Sequence, residues 1–392
     1  MKRIVVFLFL NLLSVSDASE KKTICLNMIV KDEKDVIERC LNSAKPLIDY
    51  WVIFDTGSTD GTQDAIRECM KGIPGELHES PWVNFEHNRN EALEVAKKRG
   101  DYIMWIDADE VLLYDDDFEI PKLEKDFYHM IVRQLDAADA RRCAVIRSDL
   151  DWKWVGVLHE VLHCDQARTH DLIRGVMNIC NSATGARSKL PPEVKYMKDA
   201  LVLEKALEKE PNNSRYMYYL GISYSAANEL EKGLEAFKKR IEMPSNDWEE
   251  TYQALYNIGS LREKMGQYEI ACESFIRAYQ FRPIRREPLY RAAQAYRKSG
   301  NPFVGYLVAK HALTIPYPEG EACVQYQAYD YATDVEFANC ALLSGFWQEG
   351  LEASKGLLNN PTLPEEHLPS IQSNYELAQS RLQPVQLRRA VN

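Results

Sequence analysis

From Thr23 onward, short apolar runs alternate with longer amphipathic stretches. Ile24–Val30 is apolar apart from Asn27, which predicts a strand buried on both faces. Asp32–Ala44 then carries Val36, Ile37, Cys40 and Leu41 at helical spacing. Trp51–Phe54 predicts a second strand, running into the turn-rich stretch Asp55–Gly61, with a second helix over Thr62–Met70. Glu86–Lys98 predicts a third helix, and Asp101–Ile106 a strand that ends in Asp107-Ala108-Asp109-Glu110. Strands alternating with helices imply right-handed crossovers and a mostly parallel sheet covered on both faces. Ligands of such sheets sit beyond the carboxyl ends of the strands, where both the Asp55 and the Asp107 loops leave.

From about Met197 the strands stop and the period changes. Gly266 and Gly300 stand 34 positions apart, and Phe275, Ala278 and Pro283 accompany the first as Tyr296, Ala309, Ala312 and Pro316 accompany the second. Leu220–Tyr224 with Phe237 begins an earlier unit, and Ala338–Trp347 resembles a later one. Small residues where paired helices touch, with Pro after the second helix, form the tetratricopeptide signature. Three to four units are expected, preceded by a helix over Asp199–Lys209; the alternative is an ordinary helical bundle. The expected plan is a leader at 1–18, an α/β domain over 22–165, a connector over 166–196 and a repeat domain over 197–380.

Composition narrows the class. With 392 residues, 45% hydrophobic and 27% charged, the chain is not disordered, collagenous or polytopic, and its length suits two or three domains. The formal charge of −11 argues against nucleic acid as a partner, and an anionic ligand would need a local basic group or a metal ion. Nine scattered cysteines with no C-x-x-C pair read as reducing. Against that, Lys2 and Arg3 precede an apolar run from Ile4 to Val15, and Ser16-Asp17-Ala18 offers a cleavage site, the pattern of a secretory signal peptide. The leader points to export or membrane association, whereas the free cysteines would point to the cytoplasm.

Asp107 and Asp109, at i and i+2 on a strand end with small Ala108 between, can face one divalent ion, and hard oxygen ligands suit Mg²⁺ or Mn²⁺. Asp115-Asp116-Asp117 lacks such a setting and reads as a solvated face or cap. Asp60 or Thr62 is expected to cap the following helix. Asp55 directly follows four apolar strand residues, so its carboxylate points over the sheet edge and can accept from a base N–H or a ribose hydroxyl.

Four segments in order carry a resemblance: Leu26–Glu33, Asp55-Thr56-Gly57-Ser58-Thr59-Asp60-Gly61-Thr62, Asn88-Arg89-Asn90 and Trp105–Glu110. Together they resemble the family 2 glycosyltransferases over about Thr23–Val111, within the subgroup whose catalytic domain precedes tetratricopeptide repeats. Trp154–Glu160, Gly185-Ala186-Arg187-Ser188 and Arg285–Tyr290 look like further motifs of that subgroup. The resemblance implies an α/β GT-A-type domain followed by an all-α tetratricopeptide-repeat solenoid, and transfer of a sugar from a nucleotide-diphosphate donor with inversion. By position, it implies that Asp55 contacts the base, Asp60 supports its loop, Arg89 lies near the donor, and Asp107 and Asp109 form the metal and ribose site. Many members carry a second Asp where this chain has Thr56, which leaves the base open between a UDP-sugar, favoured, and a GDP-sugar.

His159 and Glu160 follow a strand-like stretch, Asp151–Leu158. In the functional reading, neutral His159 completes the metal shell and Glu160 takes the acceptor proton; otherwise they are a packed structural pair. Neighbours on a strand face opposite ways, so the two share a site only if the strand ends there. Arg187 is placed to clamp the donor diphosphate, or to cap the first repeat helix. The acceptor is a glycan or a protein, and the repeat groove is suited to a protein partner. The reading from another class is an inactive adaptor that only positions partners.

Overall fold

The structure, a computed structural model, describes residues 21–134, 140–180, 185, 190–319, 321 and 323–383. The expected leader and Arg187 lie outside the described residues. The N-terminal part runs β1 (Ile24–Val30), α1 (Lys34–Ala44), β2 (Tyr50–Asp55), α2 (Thr62–Cys69), β3 (Gly75–Glu79), α3 (Phe85–Ala96), β4 (Tyr102–Trp105), β5 (Glu110–Tyr114), β6 (Phe127–Gln134), β7 (Ala140–Arg147), β8 (Lys153–Val155), β9 (Val161–His163) and β10 (His170–Cys180).

Among the described residues eight strands make one sheet in the order β3-β2-β1-β4-β7-β6-β10-β5, and β8 and β9 form a separate hairpin. The first four are parallel; β7 then pairs antiparallel to both β4 and β6, and β5 antiparallel to β10. The alternation along β1 explains its apolar run. Ile24, Leu26, Met28 and Val30 pack with Ile37, Leu41 and Ile66 of α1 and α2, whereas Cys25 packs with Ala92, Leu93 and Ala96 of α3 on the opposite face. Burial on both faces removes any polar side from the strand, as a covered parallel sheet requires.

Two expectations shift. Residues 166–196, expected as a connector, contain β10, which lies between β6 and β5 inside the sheet, so the α/β unit runs on to Cys180. The strand-like stretch 151–158 contributes only β8, outside the main sheet.

Among the described residues ten α-helices follow: α4 (Pro192–Lys209), α5 (Ser214–Ala226), α6 (Leu230–Glu242), α7 (Trp248–Lys264), α8 (Tyr268–Phe281), α9 (Glu287–Lys298), α10 (Pro302–Ala312), α11 (Thr333–Leu343), α12 (Trp347–Leu358) and α13 (Leu368–Leu382). The leading helix therefore starts before the expected Asp199. Four hairpins, α5/α6 to α11/α12, each turn through one residue in the left-handed region: Asn228, Gly266, Gly300 and Gly345, with φ of 61°, 74°, 85° and 83°. That requirement selects glycine or asparagine and produces the recurrence seen in the sequence.

The Arg285–Tyr290 motif is structural. The Arg285 guanidinium pairs with Glu287 at 2.9 Å, both side chains 1% exposed, and Arg286 donates through Nε to the Ile315 carbonyl at 2.9 Å. The second bond ties the start of α9 to the chain that leaves α10. Among the described residues no helix is long and apolar enough to cross a membrane.

Candidate active site

The carboxyl ends of β1, β2, β3 and β4 leave the sheet at one edge, and their loops are bonded to one another. The Asp32 carboxylate accepts from Thr59 N–H at 2.8 Å, and the Asp32 N–H donates to Ser58 Oγ at 2.8 Å. Asp60 accepts from the N–H and hydroxyl of Thr62 through one oxygen, at 2.9 and 2.6 Å, and from Lys34 N–H through the other, at 3.0 Å. Asp60 thus supports the β2 loop and the first turns of α1 and α2, and these bonds hold its carboxyl below the usual range despite some burial.

Asp55 is 1% exposed. Its Oδ1 accepts from Gly57 N–H at 2.8 Å and Ser58 N–H at 2.7 Å, closing a turn, and its Oδ2 is buried with no hydrogen-bond partner among the described residues. A buried carboxylate oxygen left unpaired costs about 1–3 kcal/mol, so a ligand donor at that point recovers the loss. Thr56, where relatives of the resemblance carry an acid, is also buried and donates its hydroxyl to the Val30 carbonyl at 3.1 Å.

Each residue of Asn88-Arg89-Asn90 has a separate task on α3. Asn84 caps the helix by accepting from His87 N–H at 2.8 Å. Asn88 accepts from Val83 N–H at 3.0 Å and donates to the Pro81 carbonyl at 3.0 Å, which fixes the loop after β3. Asn90 exchanges two hydrogen bonds with the backbone of Trp154, both 2.8 Å, and so holds β8 against α3. Arg89 donates through Nε to Glu160 Oε1 at 2.5 Å and through Nη2 to Asp107 Oδ1 at 2.7 Å. Its guanidinium lies 5.2 Å from the Trp105 ring centre and 4.8 Å from that of Trp154. One buried cation therefore joins the D-x-D turn to the segment after β8.

The D-x-D turn is held from below. Glu110 Oε2 accepts from Asp107 N–H at 3.1 Å and from Asn178 Nδ2 of β10 at 2.8 Å. Arg142 of β7 grips the same carboxylate with two bonds of 2.6 Å and lies 4.2 Å from the Trp105 ring centre. From α1, Arg39 Nη2 donates to the Asp109 carbonyl at 3.2 Å, and Cys40 Sγ lies 3.3 Å from the Asp107 carbonyl. Glu110, Arg142 and Asn178 were not singled out from the sequence. Glu110 directly continues the D-x-D run, which is a signal, but nothing in the chain links it to an arginine 32 positions on.

The two aspartates differ in charge balance. Burial pushes the Asp107 carboxyl up, but Arg89 and Arg142 outweigh it and hold it below the ordinary value. Burial, then the charges of Asp107 and Glu110, push the Asp109 carboxyl above its ordinary value. No donor side chain among the described residues reaches the Asp109 carboxylate. Gly185 lies directly against it, and a Cβ there would come 2.7 Å from Asp109 Oδ2. The Gly-Ala-Arg-Ser motif thus meets the D-x-D turn at its glycine, while its Arg187 is outside the described residues.

Glu160 and His159 diverge. The chain leaves β8 through Gly156 at φ 114° and passes His159 at φ 54°, so the strand ends before the pair. Glu160 turns to Arg89 with its side chain 10% exposed. His159 turns to the repeats, its ring stacked on Tyr219 with 3.9 Å between centres and 12° between planes.

Residues 25–139 match the family model described as glycosyl transferase family 2. Among curated proteins, the chain is 23% identical over 238 residues to the SPbeta prophage-derived glycosyltransferase SunS of Bacillus subtilis (strain 168), covering 57% of this chain and 54% of that protein. It is 37% identical over 92 residues to a TPR repeat-containing protein of Synechococcus elongatus, covering 24% of this chain and 22% of that protein. The chain therefore spans about half the length of the first relative and about a fifth of the second. Of solved structures, the TPR protein YrrB aligns at TM-score 0.37 and 17% identity, over 46% of this chain and 84% of that one. A MamA structure aligns at 0.36 and 16%, over 45% and 87%. With the parallel sheet, the D-x-D turn and the hairpin array in place, the α/β domain is similar to glycosyl transferase family 2 over residues 25–139, and helical hairpins of tetratricopeptide type follow it.

Proposed function

We propose that the protein is a metal-dependent, inverting glycosyltransferase that moves a sugar from a nucleotide-diphosphate donor to a glycan or protein acceptor. The observation that carries this reading is the Asp107–Arg89–Glu160 bridge, which sets the metal motif and the candidate base one guanidinium apart.

Asp55 Oδ2 receives an N–H of the base, with uracil favoured and guanine second. A divalent cation fits the residues present, because the Asp109 carboxylate accepts no side-chain hydrogen bond among the described residues, lies close to the charges of Asp107 and Glu110, and offers oxygens of the kind that suit Mg²⁺ or Mn²⁺. Asp109, with Asp107, would hold it; His159, expected as a third ligand, stacks on Tyr219 instead, and no group of three metal-ligating side chains occurs among the described residues. Such an ion supplies neutralisation of the departing diphosphate. Glu160 accepts the acceptor's proton on Oε2 while Arg89 holds Oε1, which keeps the carboxylate aimed. The acceptor oxygen bonds to the anomeric carbon as the bond to the diphosphate oxygen breaks, and displacement from the opposite face inverts the centre. Arg187 is proposed as a further diphosphate contact.

Calorimetric titration of the full chain with UDP, GDP and ADP, each with and without Mn²⁺, tests this reading. Binding of UDP or GDP that is tightened at least about tenfold by Mn²⁺, or roughly 1.4 kcal/mol, is expected. An absence of binding by all three would favour the adaptor.

A further inference from the structure

The turn that carries Glu160 is held by the repeats as well as by the α/β domain. His159 at φ 54° occupies a region that costs a non-glycine residue about 1–3 kcal/mol and persists only where the surroundings impose it. The imposing contacts come from α5. Val157 N–H donates to the Tyr216 hydroxyl at 3.3 Å, and Leu158 is buried in one cluster with Ala200, Leu203 and Leu220. Arg215 Nη2 donates to the His159 carbonyl at 3.0 Å, and Tyr219 covers the His159 ring. Arg215 is itself fixed, its Nη1 2.7 Å from Glu250 Oε1 on α7 and its guanidinium 4.9 Å from the Tyr219 ring centre. The next residue along the chain is Glu160, whose carboxylate meets Arg89 at 2.5 Å.

We infer that Arg215 and Tyr219 are positioning residues for Glu160, so the first repeat is a working part of the catalytic unit and not solely a recruiting arm. The inference rests on the reading of Glu160 as the base. Two anchors on consecutive residues leave the turn little freedom: α5 holds residue 159 by its ring and carbonyl, and α3 holds residue 160 by its carboxylate. Releasing the first lets the carboxylate swing about the second, and a misplacement of about 1 Å is enough to lower a rate about a hundredfold.

The test uses the full chain and hydrolysis of a UDP-sugar or GDP-sugar, in which water replaces the acceptor. Tyr219→Ala is expected to lower kcat about ten- to a hundredfold with donor KM within about twofold of wild type, because the proposed donor contacts Asp55, Asp107 and Asp109 lie on other loops. Tyr219→Phe, which keeps the stacked ring, is expected to restore most of the rate. In a Glu160→Gln background, Tyr219→Ala is expected to add little, as for residues acting through one group. Hydrogen exchange of residues 155–161 is expected to speed up in Tyr219→Ala while that of β1 and β4 stays unchanged.

An unchanged kcat in Tyr219→Ala, full multiplication of the two losses, or unaltered exchange at 155–161 would overturn the inference. A wild-type chain that binds no nucleotide would instead overturn the reading beneath it, so the two failures are distinguishable.

Discussion

Arg89→Met is expected to destabilise the α/β domain by about 3–5 kcal/mol and to abolish turnover. The side chain is 8% exposed and is the only cation within hydrogen-bond distance of the Glu160 and Asp107 carboxylates among the described residues. Methionine fills similar space against Trp105 and Trp154 but leaves a nearly buried Glu160 charge without a partner. Most of the loss falls there, because Asp107 is 37% exposed and water screens it. A fall of roughly 10 °C in the first thermal transition follows. Arg89→Lys is expected to recover part of the stability and little of the rate, since an ammonium point charge does not reproduce the fork that serves both carboxylates. Differential scanning calorimetry with donor hydrolysis checks both. A melting temperature within about 2 °C of wild type in Arg89→Met would contradict the bridge.

Asp55→Asn is expected to leave the fold intact and to weaken nucleotide binding roughly ten- to a hundredfold. The two oxygens of this carboxylate do different things: Oδ1 closes the Asp55–Ser58 turn, and Oδ2 is buried without a partner among the described residues. An asparagine placed with its oxygen toward the turn keeps both turn bonds and presents an NH₂ where the acceptor was. Loss of one charge-assisted hydrogen bond, about 1.5–3 kcal/mol, gives that range. Folding stability is expected to hold or rise slightly, because an unpaired buried carboxylate oxygen is removed. Calorimetric titration beside a thermal melt reads the two effects separately. Undiminished affinity in a well-folded Asp55→Asn would mean that the base does not bind there.

The sequence made the first half of the sheet legible because strands covered on both faces lose their polar side. The runs in β1, β2 and β4 stand out for that reason, and each ends in the loop that carries Asp55 or Asp107. β3, with the sequence Gly-Glu-Leu-His-Glu, does not stand out, because it is an edge strand whose polar residues bond sideways: Glu76 to the Tyr50 hydroxyl at 2.9 Å and to His78 at 2.8 Å. β10 was hidden by exposed positions and by a register shift between Leu172 and Met177. At the site, acids at strand ends were legible one by one, whereas the pairing of Arg89 with Glu160, 71 positions away, depends on how α3 and the β8 hairpin pack. Alternation on a strand had already set the condition on His159 and Glu160. Gly156 at positive φ is the local signal that the strand stops and lets them part.

The central claim is that the acidic edge around Asp107 and Asp109 activates a nucleotide-sugar through a divalent cation. Turnover of a UDP-sugar or GDP-sugar with Mn²⁺, wild type against Asp109→Ala, tests it most directly. Asp109 makes no side-chain hydrogen bond to another described residue, so its removal is expected to leave the fold standing while Mn²⁺-dependent turnover falls at least about a hundredfold, or roughly 2.7 kcal/mol in the barrier. Equal turnover by the two proteins would contradict the account.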